Sequence, residues 1–373
     1  MSQHKELIEI AKLFLKLGSI AFGGPAAHIA MMEDEVVKKR KWMTQDHFLD
    51  LVGATNLIPG PNSTEMTMHC GHERAGWKGL IVAGLCFIIP AVLITSVFAY
   101  MYQQYGALPN VKPFIYGIKP AVIAIIIVAS VRLGKKAVKT VELAILGILT
   151  LAACLLGVNE IIALFGCGLL GLLLYIIKKR LSNLNSFIPF LFLQIANPTN
   201  VGSLKIFLTF LKVGAILYGS GYVLFAFLDS ELVANGWLTR QVLIDAVAVG
   251  QMTPGPVLST ATFIGWQMHG VSGALVATIG IFLPSFIFVL VLNPLIPKMR
   301  KSKIIRATLD AVNIAAVALI VAVCFEMGKD SITDWRTIII AITSLILVFA
   351  FKKLNSAFIV LGSAIFGYFL NLI

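Results

Sequence analysis

The chain has 373 residues, of which 58% are hydrophobic and 13% charged, and its mean hydropathy is +0.90. This composition excludes an ordinary soluble globular protein and predicts an all-α polytopic membrane protein, because apolar runs of about 20 residues recur. The formal net charge of +12 would suggest a nucleic-acid partner for a soluble protein. Here the basic residues are grouped in short loops, so they indicate orientation in a lipid bilayer and no nucleic-acid partner.

The first apolar segment extends from about Leu7 to Met32 and contains the sequence Phe22-Gly23-Gly24-Pro25. A basic loop at 38–41 follows it. Because glycine frees the backbone and proline fixes φ, the sequence predicts a break inside this segment.

A second interrupted element extends from about Asp46 to Ala75 and is broken at Pro59-Gly60-Pro61. No regular helix passes through Pro-Gly-Pro, and broken backbone in a membrane is tolerated only where it is buried in protein or lines a wet cavity. Four apolar stretches complete this part of the chain, at 77–104, 113–133, 141–157 and 159–177.

The second half of the chain repeats the first at a nearly constant spacing. Lys16 and Lys212 lie 196 residues apart in matching Phe-Leu-Lys-x-Gly sequences, and Pro254-Gly255-Pro256 follows the first Pro-Gly-Pro by 195 residues. Such regular spacing indicates an internal duplication. It predicts homologous transmembrane halves at 1–181 and 205–373, joined by a linker at 182–204.

The loop charges favour an inverted repeat. If each Pro-Gly-Pro element is re-entrant, each half has about five spans, and an odd number turns the second half upside down. The basic loops of both halves then fall on one side of the membrane, which we interpret as the cytoplasm. The same count places the N-terminus on the opposite side, despite Lys5, Lys12 and Lys16 nearby. The alternative is a first segment that crosses the membrane only in part, which leaves the location of the N-terminus open.

The Pro-Gly-Pro breaks are predicted to bind an anion. A half-helix that begins after such a break directs its free N–H groups and the positive end of its dipole at the break. Asn62, Ser63 and Thr64 would add donors in the first half, with Ser259 and Thr260 opposite. The alternative is a tight turn with ordinary helix caps. Matching breaks in two halves favour the binding site.

Two lysines occupy matching positions in apolar helices. Lys16 and Lys212 each precede their glycine break by seven residues, about two helical turns, so lysine and break share a face. An intramembrane lysine marks a functional site by default, and the alternative is a side chain that extends to the interface. Lys119 and His28 are weaker candidates for additional donors.

Glu65 is the acidic residue beside the first Pro-Gly-Pro, and its counterpart in the second half is Thr260. One interpretation makes Glu65 a proton carrier. The sequence favours the other, in which Asn62 is the N-cap and Glu65 completes a capping box three residues later.

The candidate anion-binding residues therefore come from four short segments and two lysines. They are Lys16, Gly23, Gly24, Pro25, His28, Pro59, Gly60, Pro61, Asn62, Ser63, Thr64, Lys212, Gly219, Ser220, Gly221, Pro254, Gly255, Pro256, Ser259 and Thr260, with Glu65 and Lys119 as secondary candidates. His69 and His72 lack the spacing of a metal site, and no catalytic or nucleotide-binding motif occurs. We expect no metal, no cofactor and no enzymatic activity.

These motifs resemble the chromate ion transporter (CHR) family, in its long two-domain form. The resemblance rests on Phe-Leu-Lys-Leu-Gly, Phe22-Gly23-Gly24-Pro25 and the two Pro-Gly-Pro sequences, and it covers nearly the whole chain. It implies export of chromate across a prokaryotic inner membrane, driven by the membrane potential, by protons or by both, with chromate resistance as the result. The alternatives are a sulfate-type oxyanion carrier or an anion channel. A homodimer is left open.

Overall fold

The computed structural model describes residues 3–22, 24–180, 202–218, 221–293, 299, 302–351 and 355–372. Within these ranges the chain is helical and contains no strand. By length and composition, five of the described helices can cross a membrane, and three shorter apolar helices accompany them. The chain is an all-α polytopic membrane protein, as predicted.

The described helices fall into two matching series. In the first half they are α1 (Gln3–Ile20), α2 (Pro25–Glu33), α3 (Gln45–Thr55), α4 (Asn62–Tyr105), α5 (Lys112–Ala137), α6 (Val141–Leu155) and α7 (Glu160–Arg180). In the second half they are α8 (Ser203–Ile216), α9 (Val223–Leu228), α10 (Arg240–Met252), α11 (Thr260–Leu292), α12 (Lys303–Ser331), α13 (Trp335–Ala350) and α14 (Ser356–Leu370). Short π-helical turns continue α2 and α9, at Asp34–Lys39 and Asp229–Val233.

The first apolar segment forms a helical hairpin instead of one crossing helix. The backbone breaks after α1 because Gly24 has a φ of 79° and Pro25 begins α2. Arg40 Nε lies 3.7 Å from the Glu9 carboxylate, so the chain returns to the end of the molecule at which α1 starts. Of the two predicted alternatives, a first segment that only partly crosses therefore fits, and the N-terminal helix begins at the same end as the basic loop at 38–41. A span count that includes this segment as a full crossing is wrong for the first half.

The second interrupted element is also a hairpin, with Pro-Gly-Pro at its tip. At its open end the imidazole of His47 on α3 lies 3.0 Å from the carboxylate of Glu73 on α4. Beyond this point α4 bends at Ala75 and Gly76, where φ is −144° and 64°. We call the part before the bend α4a (62–75) and the part after it α4b (76–105).

The second half repeats this local geometry. α11 bends at His269 and Gly270, with φ of −150° and 58°, into α11a (260–269) and α11b (270–292). A Cβ on Gly265 would lie 2.3 Å from the carbonyl oxygen of Gly273, and one on Gly71 equally close to Gly79. Glycine is required at both bends because the two arms touch through their backbones. The matching bends support the internal duplication.

The two long bent helices run antiparallel. His72, near the bend of α4, meets Asn293 beyond the end of α11 at 3.0 Å. At the other end Gln103 of α4b accepts a hydrogen bond from Trp266 of α11a at 2.9 Å. An inverted repeat requires such an antiparallel pair, and the inverted orientation in a bilayer stays a prediction.

We call the end of the molecule that carries residues 38–41, Arg74 and 132–139 the basic end, and the other the opposite end. α7 begins at the opposite end, where Asn159 approaches Ser230, and runs towards the basic end. α8 begins at the opposite end, since Lys205 lies 4.0 Å from the centre of the Trp237 ring. α8 starts inside the predicted linker, of which residues 182–201 lie outside the described residues.

Candidate functional site

The first Pro-Gly-Pro is a buried, tightly constrained turn. Gly60 has a φ of 140°, and its N–H donates to the Leu217 carbonyl of the second half at 2.6 Å. The Pro61 carbonyl accepts from the amides of Thr64 and Glu65, at 2.8 and 3.0 Å, which starts α4a. The turn therefore joins the tip of one half to the break that follows α8 in the other.

The second Pro-Gly-Pro makes the reciprocal contact. Gly255 has a φ of 86°, and its N–H donates to the Ala21 carbonyl at 2.8 Å. Ala21 immediately follows α1, as Leu217 follows α8. Each half therefore bonds its Pro-Gly-Pro glycine to the broken backbone of the other half, and the two breaks lie together at the centre of the protein.

A crevice of about 150 Å³ lies between the halves, beside the first Pro-Gly-Pro turn. It is formed by Asn56 at the end of α3, the end of α5, the start of α9 and one face of α12. Its lining residues are Asn56, Leu133, Lys136, Ala137, Lys139, Val223, Asp310, Asn313, Ala316, Val317 and Ile320. The lysines come from the end of α5 and therefore place the mouth of the crevice at the basic end.

The polar groups of the crevice suit an anion. Lys139 is paired with Asp310 at 2.6 Å, whereas Lys136 is exposed and has no ion-pair partner among the described residues. Asn313 brings an amide from α12. Asn56 on the turn accepts a hydrogen bond from Asn62, the first residue of α4a, at 2.8 Å. The crevice thus combines one free cation at its mouth with amide donors beside a helix N-terminus.

The opposite end is closed by polar contacts between the halves. Asp245 of α10 accepts from the Tyr102 hydroxyl at 2.7 Å and lies 3.5 Å from the Lys119 ammonium. Farther out, the Tyr116 hydroxyl donates to Asp334, and this hydrogen bond lowers the pKa of that carboxyl. The described residues thus leave a crevice at the basic end and join the halves through polar contacts at the opposite end, which we call the outer seal.

Comparison with known proteins identifies the family. A family model described as chromate transporter matches residues 8–172 and again 204–368. The chain belongs to the chromate transporter family. Members of this family are transporters and not enzymes, and the two matched ranges agree with the duplication seen in the sequence.

Relatives within the family match the chain over nearly its whole length. A probable chromate transport protein of Synechococcus elongatus is 33% identical, covering 97% of this chain and 95% of the relative. A chromate transport protein of Cupriavidus metallidurans is 30% identical, covering 97% and 92%. One of Pseudomonas aeruginosa is 29% identical, covering 95% and 90%. No solved structure matches the chain.

In this member of the family the two matched lysines are paired with carboxylates. Lys16 lies 3.3 Å from Glu35 and Lys212 lies 2.7 Å from Glu231, and both lysine side chains are about half exposed. The carboxylates belong to the π-helical turns after α2 and α9. The lysines therefore have carboxylate partners outside the crevice, and a direct role in anion binding stays a prediction that these contacts do not favour. Sequence reasoning missed Glu35 and Glu231, although both precede the matched Trp42 and Trp237 at similar spacing.

The second-half hydroxyls are buried away from the crevice. Ser259 accepts a hydrogen bond from Thr95 of α4b at 3.2 Å, and Thr260 donates to the Val257 carbonyl at 2.8 Å. Pro254, Gly255 and Pro256 are buried as well. Among the described residues, the crevice therefore adjoins the first Pro-Gly-Pro and not the second. The two matching breaks do not contribute equally to it.

The remaining first-half candidates lie near the central breaks. His28 is buried, with Nε2 3.0 Å from the Ala21 carbonyl and its ring against Phe87. Pro59, Ser63 and Thr64 are buried beside the turn. In the second half Gly221 packs against Val257 and Leu258. Gly23, Gly219 and Ser220 lie outside the described residues.

The capping-box interpretation of Glu65 is wrong. Pro61, not Asn62, is the N-cap of α4, in an extended conformation and without a side-chain cap bond. Asn62 is already helical and bonds Asn56. Glu65 is fully buried, and neither of its carboxylate oxygens has a hydrogen-bond partner among the described residues. The second proline fixes the extended φ and ψ that start the helix one residue earlier than expected.

Asn56, Asn313 and Lys136 were not among the predicted site residues. Asn313 gave a usable signal, because it is a polar residue between apolar neighbours in a membrane-crossing helix. The roles of Asn56 and Lys136 depend on which helices meet across the two halves, which the sequence pattern does not specify.

Proposed function

We propose that this protein exports chromate from the cytoplasm through the crevice between its two halves. The observation that carries the proposal is the pairing of a free lysine, Lys136, with the amides of Asn56 and Asn313 beside the first Pro-Gly-Pro. Relatives of similar length are named chromate transport proteins, which supports chromate as the anion. Amide donors and one cation suit a tetrahedral dianion that must also be released.

The basic end faces the cytoplasm in this proposal. Basic loops accumulate on the cytoplasmic side of membrane proteins, and the N-terminal helix, the loop at 38–41 and residues 132–139 share this end. The antiparallel arrangement of α4 and α11 supports an inverted repeat, in which the axis that relates the two halves lies in the plane of a prokaryotic inner membrane. The crevice is then open to the cytoplasm.

Transport by alternating access follows from the asymmetry between the ends. The contacts of Asp245 with Tyr102 and Lys119 close the outer end while the crevice is open to the inner one. Inverted halves can exchange these two arrangements by rocking about the central breaks. A carrier of this kind never opens both ends together, which separates it from the alternative of an anion channel.

The membrane potential is sufficient to drive export. Moving a dianion out of a negative interior gains about 4.6 kcal/mol per 100 mV, which is twice the value for one charge. Because a tenfold concentration ratio corresponds to about 1.4 kcal/mol, this energy sustains a gradient of roughly three decades.

The test is uptake of radiolabelled chromate into inside-out vesicles with the potential clamped. We expect saturable uptake that rises with an inside-positive vesicle potential, is competed by sulfate and falls at least tenfold in Asn313→Leu. Asn313→Gln, which keeps the amide, is the matched control. Uptake that does not saturate would indicate a channel, and absence of chromate uptake by a folded protein would refute the proposal.

A further inference from the structure

One face of α4a carries four ionisable side chains in succession. Glu65, His69, His72 and Glu73 are spaced by four, three and one residues, so all four lie on the same side of the helix. Glu65 is beside the Pro-Gly-Pro tip, and Glu73 is at the basic end. At 1.5 Å per residue, the series spans about 12 Å.

Glu65 is a fully buried carboxyl group, and neither of its oxygens has a hydrogen-bond partner among the described residues. Ser285 Oγ and Thr64 Oγ1 are buried beside it, also without hydrogen-bond partners among the described residues. A Cβ on Gly60 would lie 2.2 Å from Glu65 Oε1 and 2.6 Å from Ser285 Oγ, so carboxyl, hydroxyl and turn are in close proximity. An ionised carboxylate without a partner is very costly to bury, and a bound proton removes that cost.

His69 continues the series one turn away. It is 1% exposed, and neither ring nitrogen makes a hydrogen bond with a described residue. Asn293, the residue that follows α11, lies near His69 and hydrogen-bonds the next imidazole, His72, at 3.0 Å. Glu73 then meets His47 at the basic end, where both side chains are partly exposed. The buried imidazole of His69 and the half-buried imidazole of His72 therefore lie along the helix between Glu65 and the basic end.

The surroundings of this face leave Glu65 unneutralised. The second half brings Tyr218, which follows α8, Ser285 of α11 and Asn293, which follows α11, to this helix. From the first half, His47 of α3 contacts Glu73 and Glu9 of α1 pairs with Arg74. Met32 of α2 contacts Thr67. Only the phenol of Tyr218 among the titratable groups of these other elements interacts with Glu65, and no described cation does.

The second half shows that the fold does not require these residues. The two helix bends are related by 194 residues, and at that offset Ser259, Phe263, Trp266 and Gln267 replace the four ionisable residues. The counterpart of Glu65 along the helix is thus Ser259, one residue before the Thr260 that the 195-residue spacing of the Pro-Gly-Pro sequences predicts. The same architecture is thus built without an ionisable group on the corresponding face. The series on α4a therefore occurs only in the half whose Pro-Gly-Pro turn lies next to the crevice, as far as the described residues show.

We propose that this face of α4a is a proton pathway from the cytoplasm to Glu65, and that Glu65 binds the proton transported together with chromate. The proposal rests on the proposed function for its anion. A carboxylate behind the turn that adjoins the crevice repels chromate and a carboxylic acid does not, so proton and anion bind together and move in the same direction. One proton per chromate reduces the exported charge from two to one.

Flux measurements in proteoliposomes test the coupling. At equal pH on both sides, net flux down a tenfold chromate gradient stops at a membrane potential of about 59 mV if one net charge moves per chromate. If two net charges move, it stops at about 30 mV. We expect the first value for the native protein and the second for Glu65→Gln, with Glu65→Asp retaining coupling. Acid on the cytoplasmic side should accelerate native export and leave Glu65→Gln unaffected. Glu33→Gln, a carboxyl group on the surface of the same half, is the matched control.

Infrared spectroscopy tests the proton site without any transport. Protonated Glu65 should give a carboxylic C=O band at neutral pH that is lost in Glu65→Gln. Its shift in D₂O should be slowed at least tenfold in His69→Phe, which copies the second half. A missing band, or exchange unchanged by His69→Phe, would overturn the pathway even if chromate is transported. Two charges per chromate in the native protein would overturn the coupling alone.

Discussion

Replacing Gly60 with alanine should damage the protein through two separable effects. The φ of 140° is outside the range that L-residues adopt readily, which costs about 1–3 kcal/mol. The new Cβ would also lie 2.2 Å from Glu65 Oε1 and 2.6 Å from Ser285 Oγ in a packed interior. Overpacking of this kind costs about 1–3 kcal/mol, so we expect a total of roughly 2–6 kcal/mol and loss of transport.

Gly76→Ala separates the two effects. Gly76 has a φ of 64°, but a Cβ there would have no atom within 4 Å, so only the backbone term of about 1–2 kcal/mol remains. Thermal unfolding of the purified proteins, followed by size-exclusion chromatography, gives the comparison. Adding Glu65→Ala to Gly60→Ala removes the closest clash and should recover part of the lost stability. Equal destabilisation by Gly60→Ala and Gly76→Ala, or no recovery in the double variant, would refute the packing argument.

Three further predictions concern the crevice, the outer seal and the orientation. Lys136→Met should raise the KM for chromate roughly five- to tenfold with little change in maximal rate. The reason is that one exposed charge contributes about 1 kcal/mol to attraction of the anion. An unchanged KM would show that Lys136 does not attract chromate to the crevice. Asp245→Asn weakens the outer seal and should increase chromate leak from proteoliposomes severalfold at zero potential, whereas a tight variant would contradict the assignment of the seal. In a cysteine-free background, Lys5→Cys and Lys139→Cys should react with an impermeant reagent from the cytoplasm and Asn371→Cys from outside; labelling of the first two from different sides would disprove the orientation.

The sequence predicted features that depend on local backbone chemistry. Glycine and proline identified both central breaks, and regular spacing between the halves identified the duplication. Sequence-based prediction failed where the answer depended on contacts between residues that are far apart in the chain. Lys16 and Lys212, which were predicted to bind the anion, pair instead with Glu35 and Glu231. These carboxylates reach the lysines because α2 and α9 fold back along α1 and α8.

The candidate site shows the same division. Asn62 could be assigned to the start of a helix, but its role as a cap depended on the conformation of Pro61. The crevice itself is formed by the end of α5, the start of α9 and α12, which meet across the two halves. A pattern of apolar stretches gives their lengths and not their neighbours. Asn313 and Lys136 therefore became candidates only from their positions in the structure.

The reciprocal bonds of Gly60 to Leu217 and of Gly255 to Ala21 have an evolutionary consequence. A half alone leaves both the amide of its turn and the backbone of its broken helix without these partners, so we expect a half encoded by its own gene to require a second copy that supplies them. Fusion of two such genes fixes the ratio and the relative orientation of the halves. Each copy is then free to diverge, which allows one to acquire ionisable residues on a face that the other fills with phenylalanine and tryptophan.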